Sequence, residues 1–354
     1  MKRTKSGIAI AAAVLAVGFF ASTGGIKVSA QALYLGEEGT LVSPQPEDTE
    51  DKDSGYRDIG FQADSIYDNA SVLEVNAKLG AAAASYNLRT SSQVTSVKNQ
   101  YSGETCWAFA AICSAETSAI KEGLKTYATT DLSELQLAYF MNHRVTDPLG
   151  NIGTDGVSYA SGDDYGYFDD GGNDIYATMV LARWTGVTNE LPAMAYPSTY
   201  GIKPAASYDN QYAYANDSLH LENSYWISMS DPEAIKANII NCGSAATSIH
   251  YDDIYVNTAT GKKGAFYYNG TGSYTNNHAI SIVGWNNNYP KTNFLTQPAG
   301  NGAWLVKNSY GTSEGDAGYL WISYYDYGIT GTRDGDGDGN PDGNTAVFYD
   351  MASS

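Results

Sequence analysis

The run VKNQYSGETCWAF, residues 97–109, constrains this chain more than any other stretch. Gln100 precedes Cys106 by six positions, and Trp107 and an apolar segment follow at once. If Cys106 opens a helix, the positive end of the helix dipole favours its thiolate. Its backbone N–H and the Gln100 amide can then donate to one developing oxyanion. The run therefore predicts a solvent-accessible, nucleophilic Cys106 with Gln100 as an oxyanion donor.

A nucleophilic thiol needs a histidine and an orienting group from elsewhere in the chain. Of the four histidines, His278 begins an apolar run that predicts a buried strand to Trp285. Each residue alone also has a structural interpretation. Free cysteine is among the most buried residue types, His278 could be a hydrogen-bonded core residue, and Asn308 could form a turn. Their order and local contexts together favour a catalytic set.

These segments resemble the papain-like cysteine proteases. Residues 97–100 and 106–109 match the family motif VKNQGxCGSCWAFS position by position, and the segments around His278 and Asn308 match NHAVxxVGYG and KNSWG. The resemblance implies a thiol peptidase in which Cys106 is the nucleophile, His278 the base and Asn308 the group that orients the imidazole. It also implies that Gln100 contributes to the oxyanion hole, and that the site lies between two lobes.

The chain departs from the family pattern at several positions. Gly103 stands where the family has a first cysteine, so the resemblance implies that the usual disulfide is missing. Tyr310 replaces a tryptophan that packs over the orienting Asn, and Glu314 replaces a second tryptophan. We expect changed local packing with the chemistry retained. Gly171 and Gly172 resemble a family turn that lets a substrate backbone approach closely, although an ordinary turn fits them equally well.

The coarse pattern predicts an α+β fold with a helical half and a strand-rich half. Helices are predicted over residues 106–122 and 175–185. A third helix is predicted after Asp131, with Ser133 or Asp131 as its N-cap, and a fourth after a capping box formed by Ser230 and Glu233. Strands are predicted over residues 245–250, 264–268, 278–285, 303–307, 319–324 and 346–349. The family resemblance implies the papain-like two-lobed architecture, with the strands in a β-barrel-like lobe.

The beginning of the chain predicts export. Basic residues precede an apolar core from Ile8 to Phe20 and a small-residue exit at Val28–Ala30, a pattern typical of a signal peptide over residues 1–30. Residues 31–80 are acidic and poorly patterned and predict a flexible or pro-segment, and residues 81–354 form the peptidase domain. No other segment is apolar for long enough to span a bilayer, so free secretion is expected.

Charge and cysteine content narrow the function classes further. A net charge of −19 argues against nucleic acid as a partner, because binding it needs a basic face. Three cysteines are too few for a disulfide scaffold, and their odd number leaves at least one free thiol. Whether Cys113 and Cys242 form a disulfide is left open by the sequence.

The sequence thus favours a secreted, bacterial cysteine peptidase acting on peptide or protein substrates, with no cofactor for catalysis. Two alternatives remain. One is amide transfer by the same triad, as in transglutamination. The other is a non-catalytic, calcium-dependent surface or adhesion module on the same fold.

One acidic loop lies outside the family pattern and predicts a structural calcium site. Its oxygen ligands would occupy positions 1, 3, 5, 7 and 9 of a calcium loop, with Gly339 at position 6. Position 12 is Thr345 and not the usual Glu, and a solvated acidic turn is the alternative. The candidate ligands are Asp334, Asp336, Asp338, Asn340 and Asp342.

Calcium should stabilise the protein if this loop binds it, because clustered carboxylates repel one another when no cation is present. We expect the melting temperature to rise in millimolar calcium and to fall with chelator, by mass-action linkage. Differential scanning calorimetry measures the shift, and the Asp334→Asn/Asp336→Asn variant should lose it. If neither calcium nor chelator shifts the melting temperature, the loop is a solvated acidic turn and the calcium prediction is wrong.

Overall fold

The computed structural model describes residues 28–29, 83–143, 145–146, 154–155, 165–183, 185–213, 219–270, 275–331 and 343–353. Within those ranges the α-helices are α1 Cys106–Lys121, α2 Glu134–Asn142, α3 Gly166–Asp169, α4 Asp174–Leu181, α5 Pro232–Asn241 and α6 Tyr327–Thr330. The strands are β1 Val28–Ser29, β2 Ser85–Asn87, β3 Val145–Thr146, β4 Thr154–Asp155, β5 Leu219–Ser228, β6 Ala245–Ile249, β7 Val256–Asn257, β8 Ala265–Phe266, β9 His278–Asn286, β10 Ala303–Lys307, β11 Tyr319–Ser323 and β12 Thr345–Ser353.

The helical lobe is built around α1. Every residue from Cys106 to Ala119 is buried, and most of them are small, so α2, α4 and the sheet can approach the helix closely. The helix ends at Lys121, and Gly123 follows with a φ of 73° in the left-handed region that favours glycine. The predicted helix over residues 106–122 is therefore confirmed to within one residue.

Side-chain caps set the starts of the other helices. Ser133 accepts a hydrogen bond from the Gln136 N–H at the start of α2, as predicted. The start of α5 is capped by Asp231, whose carboxylate accepts from the Ala234 N–H, so the predicted Ser230 cap was wrong. The Ser230 hydroxyl instead contacts the hydroxyl of Ser228. The predicted helix over 175–185 ends earlier, at Leu181.

The second lobe is one large sheet in the order β1-β5-β12-β6-β9-β10-β11-β8-β7, with β2 also paired to β9. All of these pairs are antiparallel except β11 with β8. Strand β10 has the predicted bounds, and β6, β9 and β11 differ from prediction by one residue. The predicted strand over 264–268 shrinks to the two residues of β8, and the last strand extends from Thr345 to Ser353. The α+β prediction is confirmed.

Buried hydroxyl groups join α1 to the sheet. The Ser281 hydroxyl of β9 donates to the Ala110 carbonyl at 3.0 Å, and the Ser114 hydroxyl donates to the Ser244 carbonyl at 2.6 Å. The backbone N–H of Tyr349 in β12 donates back to the Ser114 hydroxyl at 3.1 Å. Because these polar groups are all buried, each needs the partner that it has, and the contacts fix α1 against the strand that begins at His278.

An ion cluster that is buried except at Asp131 anchors the segment that leads to Gln100. The Lys98 ammonium lies 2.8 Å from Glu134, 3.3 Å from Glu116 and 2.8 Å from Asp131. Burial raises the pKa of the Glu134 carboxyl to about 7, and the neighbouring Lys98 charge opposes that shift. Glu116 belongs to α1 and Glu134 to α2, so the cluster ties the segment to both helices. Removing one partner of a buried pair would leave an uncompensated charge.

Several sequence predictions concern residues that the structure does not describe. The signal peptide other than Val28–Ser29, the acidic segment 31–80 and the 334–342 loop all lie outside the described residues. No disulfide joins Cys113 to Cys242 in the structure, so the pairing left open by the sequence does not form. Across the described ranges, no helix is long and apolar enough to cross a bilayer.

Candidate active site

Cys106 lies at the first turn of α1, where the two lobes meet. Its Sγ accepts a hydrogen bond from the Ala279 N–H of β9 at 3.4 Å. Because Ala279 directly follows His278, the contact places the thiol beside the residue that the sequence predicts as its base. Residues 173 positions apart are brought together by the docking of α1 on the sheet.

The His278 ring is held by Asn308, as the family resemblance implied. Nε2 of His278 lies 2.7 Å from Oδ1 of Asn308, and the Ser309 N–H also donates to that oxygen at 2.8 Å. Since a backbone N–H needs an acceptor, the second contact identifies the Asn308 atom as oxygen. Nε2 therefore carries the proton, and Nδ1 of the neutral ring is an acceptor.

The Tyr310 hydroxyl lies 3.1 Å from that Nδ1 atom. The Tyr310 ring also stacks on the imidazole, with 4.6 Å between ring centroids and 19° between planes. Given the tautomer that Asn308 sets, the hydroxyl is the donor of this hydrogen bond. The aromatic ring at this position therefore packs on the imidazole, and its hydroxyl adds a polar contact to Nδ1.

Burial keeps both candidate reactive groups neutral in this structure. It raises the pKa of the Cys106 thiol to about 12, against the hydrogen bond from Ala279. It lowers the pKa of His278 to about 4, against the contact with Asn308. The predicted solvent accessibility of Cys106 was therefore wrong for this conformation, because the thiol is fully buried and its burial disfavours the thiolate.

Gln100 is fixed by contacts from both lobes. Its Oε1 accepts from the Ser309 hydroxyl at 2.7 Å, and its Nε2 donates to the Gly103 carbonyl at 2.8 Å. Its backbone N–H donates to the Ser309 carbonyl at 2.8 Å. A carboxamide nitrogen has two hydrogens, and the contact with Gly103 uses one of them, so the role of the other as an oxyanion donor stays a prediction.

Aromatic side chains fill the space beside Gly103. A Cβ built at this position would lie 2.6 Å from the Phe168 ring and would overlap the Tyr196 hydroxyl. That hydroxyl donates to the Gln100 carbonyl at 3.0 Å and contacts the Thr105 hydroxyl at 2.6 Å. The loop before Cys106 is thus closed by non-covalent packing where the family motif has a cysteine.

The predicted substrate turn lies directly behind Trp107. Gly171 has a φ of 69°, and a Cβ at Gly172 would overlap the Trp107 indole. The next residue, Asn173, caps α4 by accepting from the Tyr176 N–H at 3.0 Å. Both glycines are therefore needed for packing and conformation, and their predicted contact with substrate stays a prediction.

Sequence reasoning missed three contacts at the site: the Ala279 N–H, the Ser309 hydroxyl and the Tyr310 hydroxyl. All three residues lie within two positions of predicted site residues, so their proximity was foreseeable. Their partners were not, since each contact spans between 32 and 209 positions. Within the ranges that the structure covers, no group of three or more His, Cys, Asp and Glu side chains could hold a metal ion.

Comparison with known proteins agrees with this geometry. The model of the papain family cysteine proteases matches residues 82–333, and the chain belongs to that family. A cathepsin L-like peptidase of Aedes aegypti is 26% identical over 232 residues, which cover 66% of this chain and 56% of the relative.

Two solved structures of Cwp84 are also similar. The cysteine protease and lectin-like domains of this surface layer associated protein of Clostridium difficile are 26% identical, with a TM-score of 0.57 over 77% of this chain and 52% of that one. A cysteine-to-alanine form of clostridial Cwp84 after propeptide cleavage is 26% identical, with a TM-score of 0.55 over 75% and 58%. The chain thus spans little more than half the length of these relatives.

Removing the Tyr310 hydroxyl should make Cys106 more reactive. The hydrogen bond to Nδ1 stabilises the neutral imidazole, and such a bond is worth about 0.5–1.5 kcal/mol. Tyr310→Phe should therefore raise the rate of iodoacetamide alkylation of Cys106 at pH 7 by about two- to tenfold.

Tyr251→Phe is the matched control, because its ring also packs near His278 at 5.3 Å while its hydroxyl bonds to Asp253. Peptide mapping by mass spectrometry separates Cys106 from the other two thiols. An alkylation rate in Tyr310→Phe that equals or falls below that of the control would contradict a donor role for this hydroxyl.

Proposed function

We propose that this protein is a secreted cysteine peptidase that uses Cys106, His278 and Asn308 with Gln100 as an oxyanion donor. The observation that carries the proposal is the single cluster of thiol, imidazole and amide at the lobe boundary, tied by the Ala279–Cys106 and His278–Asn308 hydrogen bonds. Membership of the papain family supports the same chemistry.

The first half of the reaction forms a thioester. Nδ1 of His278 takes the Cys106 proton, and the thiolate attacks the carbonyl carbon of the scissile bond. The resulting oxyanion accepts hydrogen bonds from the Cys106 N–H and from the second Nε2 hydrogen of Gln100. The C–N bond then breaks, and the imidazolium gives its proton to the leaving amine.

The second half regenerates the thiol. His278 removes a proton from water, which attacks the thioester carbonyl, and the C–S bond breaks to release the carboxylic acid and the Cys106 thiolate. The His278 imidazolium then returns its proton to the thiolate, which restores the neutral pair. Throughout, Asn308 keeps Nδ1 directed toward the sulfur by accepting from Nε2. The Tyr310 hydroxyl must leave Nδ1 before the first proton transfer, because that nitrogen has one lone pair.

Location and accessory features extend the proposal. The basic and apolar start of the chain supports secretion, and Cwp84 is itself a surface layer associated protein. The substrate class that fits is a peptide or protein. The two glycines 171 and 172 would approach its backbone, and the 334–342 loop would hold structural calcium without a part in the chemistry.

Replacing the thiol should abolish activity and leave the fold unchanged. Cys106→Ala removes the nucleophile at a buried position and adds no bulk, so we expect no measurable peptide hydrolysis and an unaltered circular dichroism spectrum. The double variant Cys113→Ala/Cys242→Ala is the control and should hydrolyse the same fluorogenic peptide at close to the parental rate. Turnover retained by Cys106→Ala would sink the assignment.

Gln100 and Asn308 should have graded effects on turnover. Loss of an oxyanion donor costs about 10²–10³ in turnover, so Gln100→Ala should lower kcat by that factor. Asn308→Ala should cost less, because Asn308 orients the imidazole and transfers no proton. Steady-state kinetics measure both values, and thermal melting verifies folding. The proposed roles are wrong if neither variant changes kcat.

A further inference from the structure

A cleft of about 640 Å³ opens beside the candidate active site. Tyr101 and Tyr200 from the helical lobe form one wall. Tyr251 and Tyr310 from the sheet lobe form the other wall. The cleft is large enough for more than one amino-acid side chain, and Tyr310 connects it to the catalytic histidine.

The cleft lies on the side of the scissile bond from which the amine product leaves. Two of its wall residues flank the imidazole, since the Tyr310 and Tyr251 rings lie 4.6 and 5.3 Å from the His278 ring. In the proposed mechanism His278 protonates the leaving amine, so the amine must be next to that ring. The residues that follow the scissile bond therefore extend into this cleft.

The first wall is aromatic and exposed to substrate. The Tyr101 and Tyr200 rings meet edge to face at 5.3 Å, and 65% of Tyr200 is exposed. The Asn99 side chain accepts from the Tyr101 N–H at 2.8 Å and holds this residue at a φ of 48°. A non-glycine residue in that conformation is uncommon, and here it places a phenol at the mouth of the cleft.

The cleft carries negative charge. Asp252, Asp253 and Glu314 line it with exposed side chains, and its described lining includes no lysine or arginine. Burial, the nearby Cys106 and the carboxylates of Asp253 and Glu314 together raise the pKa of the Tyr310 phenol. The field of these carboxylates thus reaches the tyrosine that touches His278.

We propose that this cleft selects substrates with lysine or arginine among the first three residues after the scissile bond. A cationic head would lie near the carboxylates and over the tyrosine faces, while its aliphatic stem would pack on the rings. Acidic residues would be repelled there by the three carboxylates. This specificity rests on the proposed peptidase function.

Three series of peptides test the proposal. Each series varies one position, which is the first, second or third residue after the cleavage point, and places Lys, Gln or Glu there. For the full chain, kcat/KM should follow Lys above Gln above Glu in at least one series. An exposed cation–π contact together with an exposed ion pair predicts a Lys-to-Gln ratio of about five- to thirtyfold. The ratio should shrink in 0.5 M salt, because exposed charges are screened.

The variant Asp252→Asn/Glu314→Gln should lower this ratio to about two- to fivefold, because the tyrosine faces that remain still contact the cation. Asn can retain the contact in which Asp252 accepts from the Ile254 N–H. The control Asp209→Asn/Asp231→Asn removes the same charge from two exposed caps outside the cleft and should keep the ratio.

The outcomes separate this specificity from the activity on which it rests. Equal rates on Lys and Gln peptides, or a ratio unchanged in Asp252→Asn/Glu314→Gln, overturn the specificity and leave the peptidase standing. No hydrolysis of any peptide by a folded protein whose Cys106 alkylates no faster than Cys242 overturns the peptidase, and the specificity with it.

Discussion

The structure depends on the burial of one helix, α1, between the two lobes. Small side chains let neighbouring elements pack closely against a helix, and from Cys106 to Ala119 this one is rich in Ala, Ser and Thr. The Ser114 and Ser118 hydroxyl groups accept from backbone N–H groups of β12 on one side, and Glu116 bonds to Lys98 on the other. The position of the thiol is therefore set by a packed core and not by a loop.

That placement has an electrostatic cost for catalysis. The dry setting that fixes Cys106 and His278 also disfavours their charged forms, with pKa values of about 12 and 4. An ion pair becomes favourable only when the charges offset each other at close range or when groups around the pair rearrange. The Tyr310 hydroxyl is well placed for such a rearrangement, because it belongs to the cleft wall that a substrate would touch.

Local signals in the sequence predicted much of the fold. The bounds of α1 and β10, the Ser133 cap and the α+β class follow from hydrophobic period, capping residues and motif context. Tertiary structure decided the predictions that failed. Asp231 and not Ser230 caps α5, and of the strand predicted over residues 264–268 only Ala265–Phe266 pairs with another strand. The effect of burial on the pKa of Cys106 could not be predicted either, since a sequence motif carries no information about desolvation.

The aromatic packing at Gly103 has a consequence for the redox conditions that the protein can tolerate. A thiol enzyme needs a reducing environment strong enough to keep its nucleophile unoxidised, and such an environment also threatens any crosslink that holds the fold together. Here Phe168 and Tyr196 close the loop before Cys106, and none of the three cysteines forms a disulfide. In the described part of the chain, reductant can therefore protect the sulfur without loosening the scaffold around it.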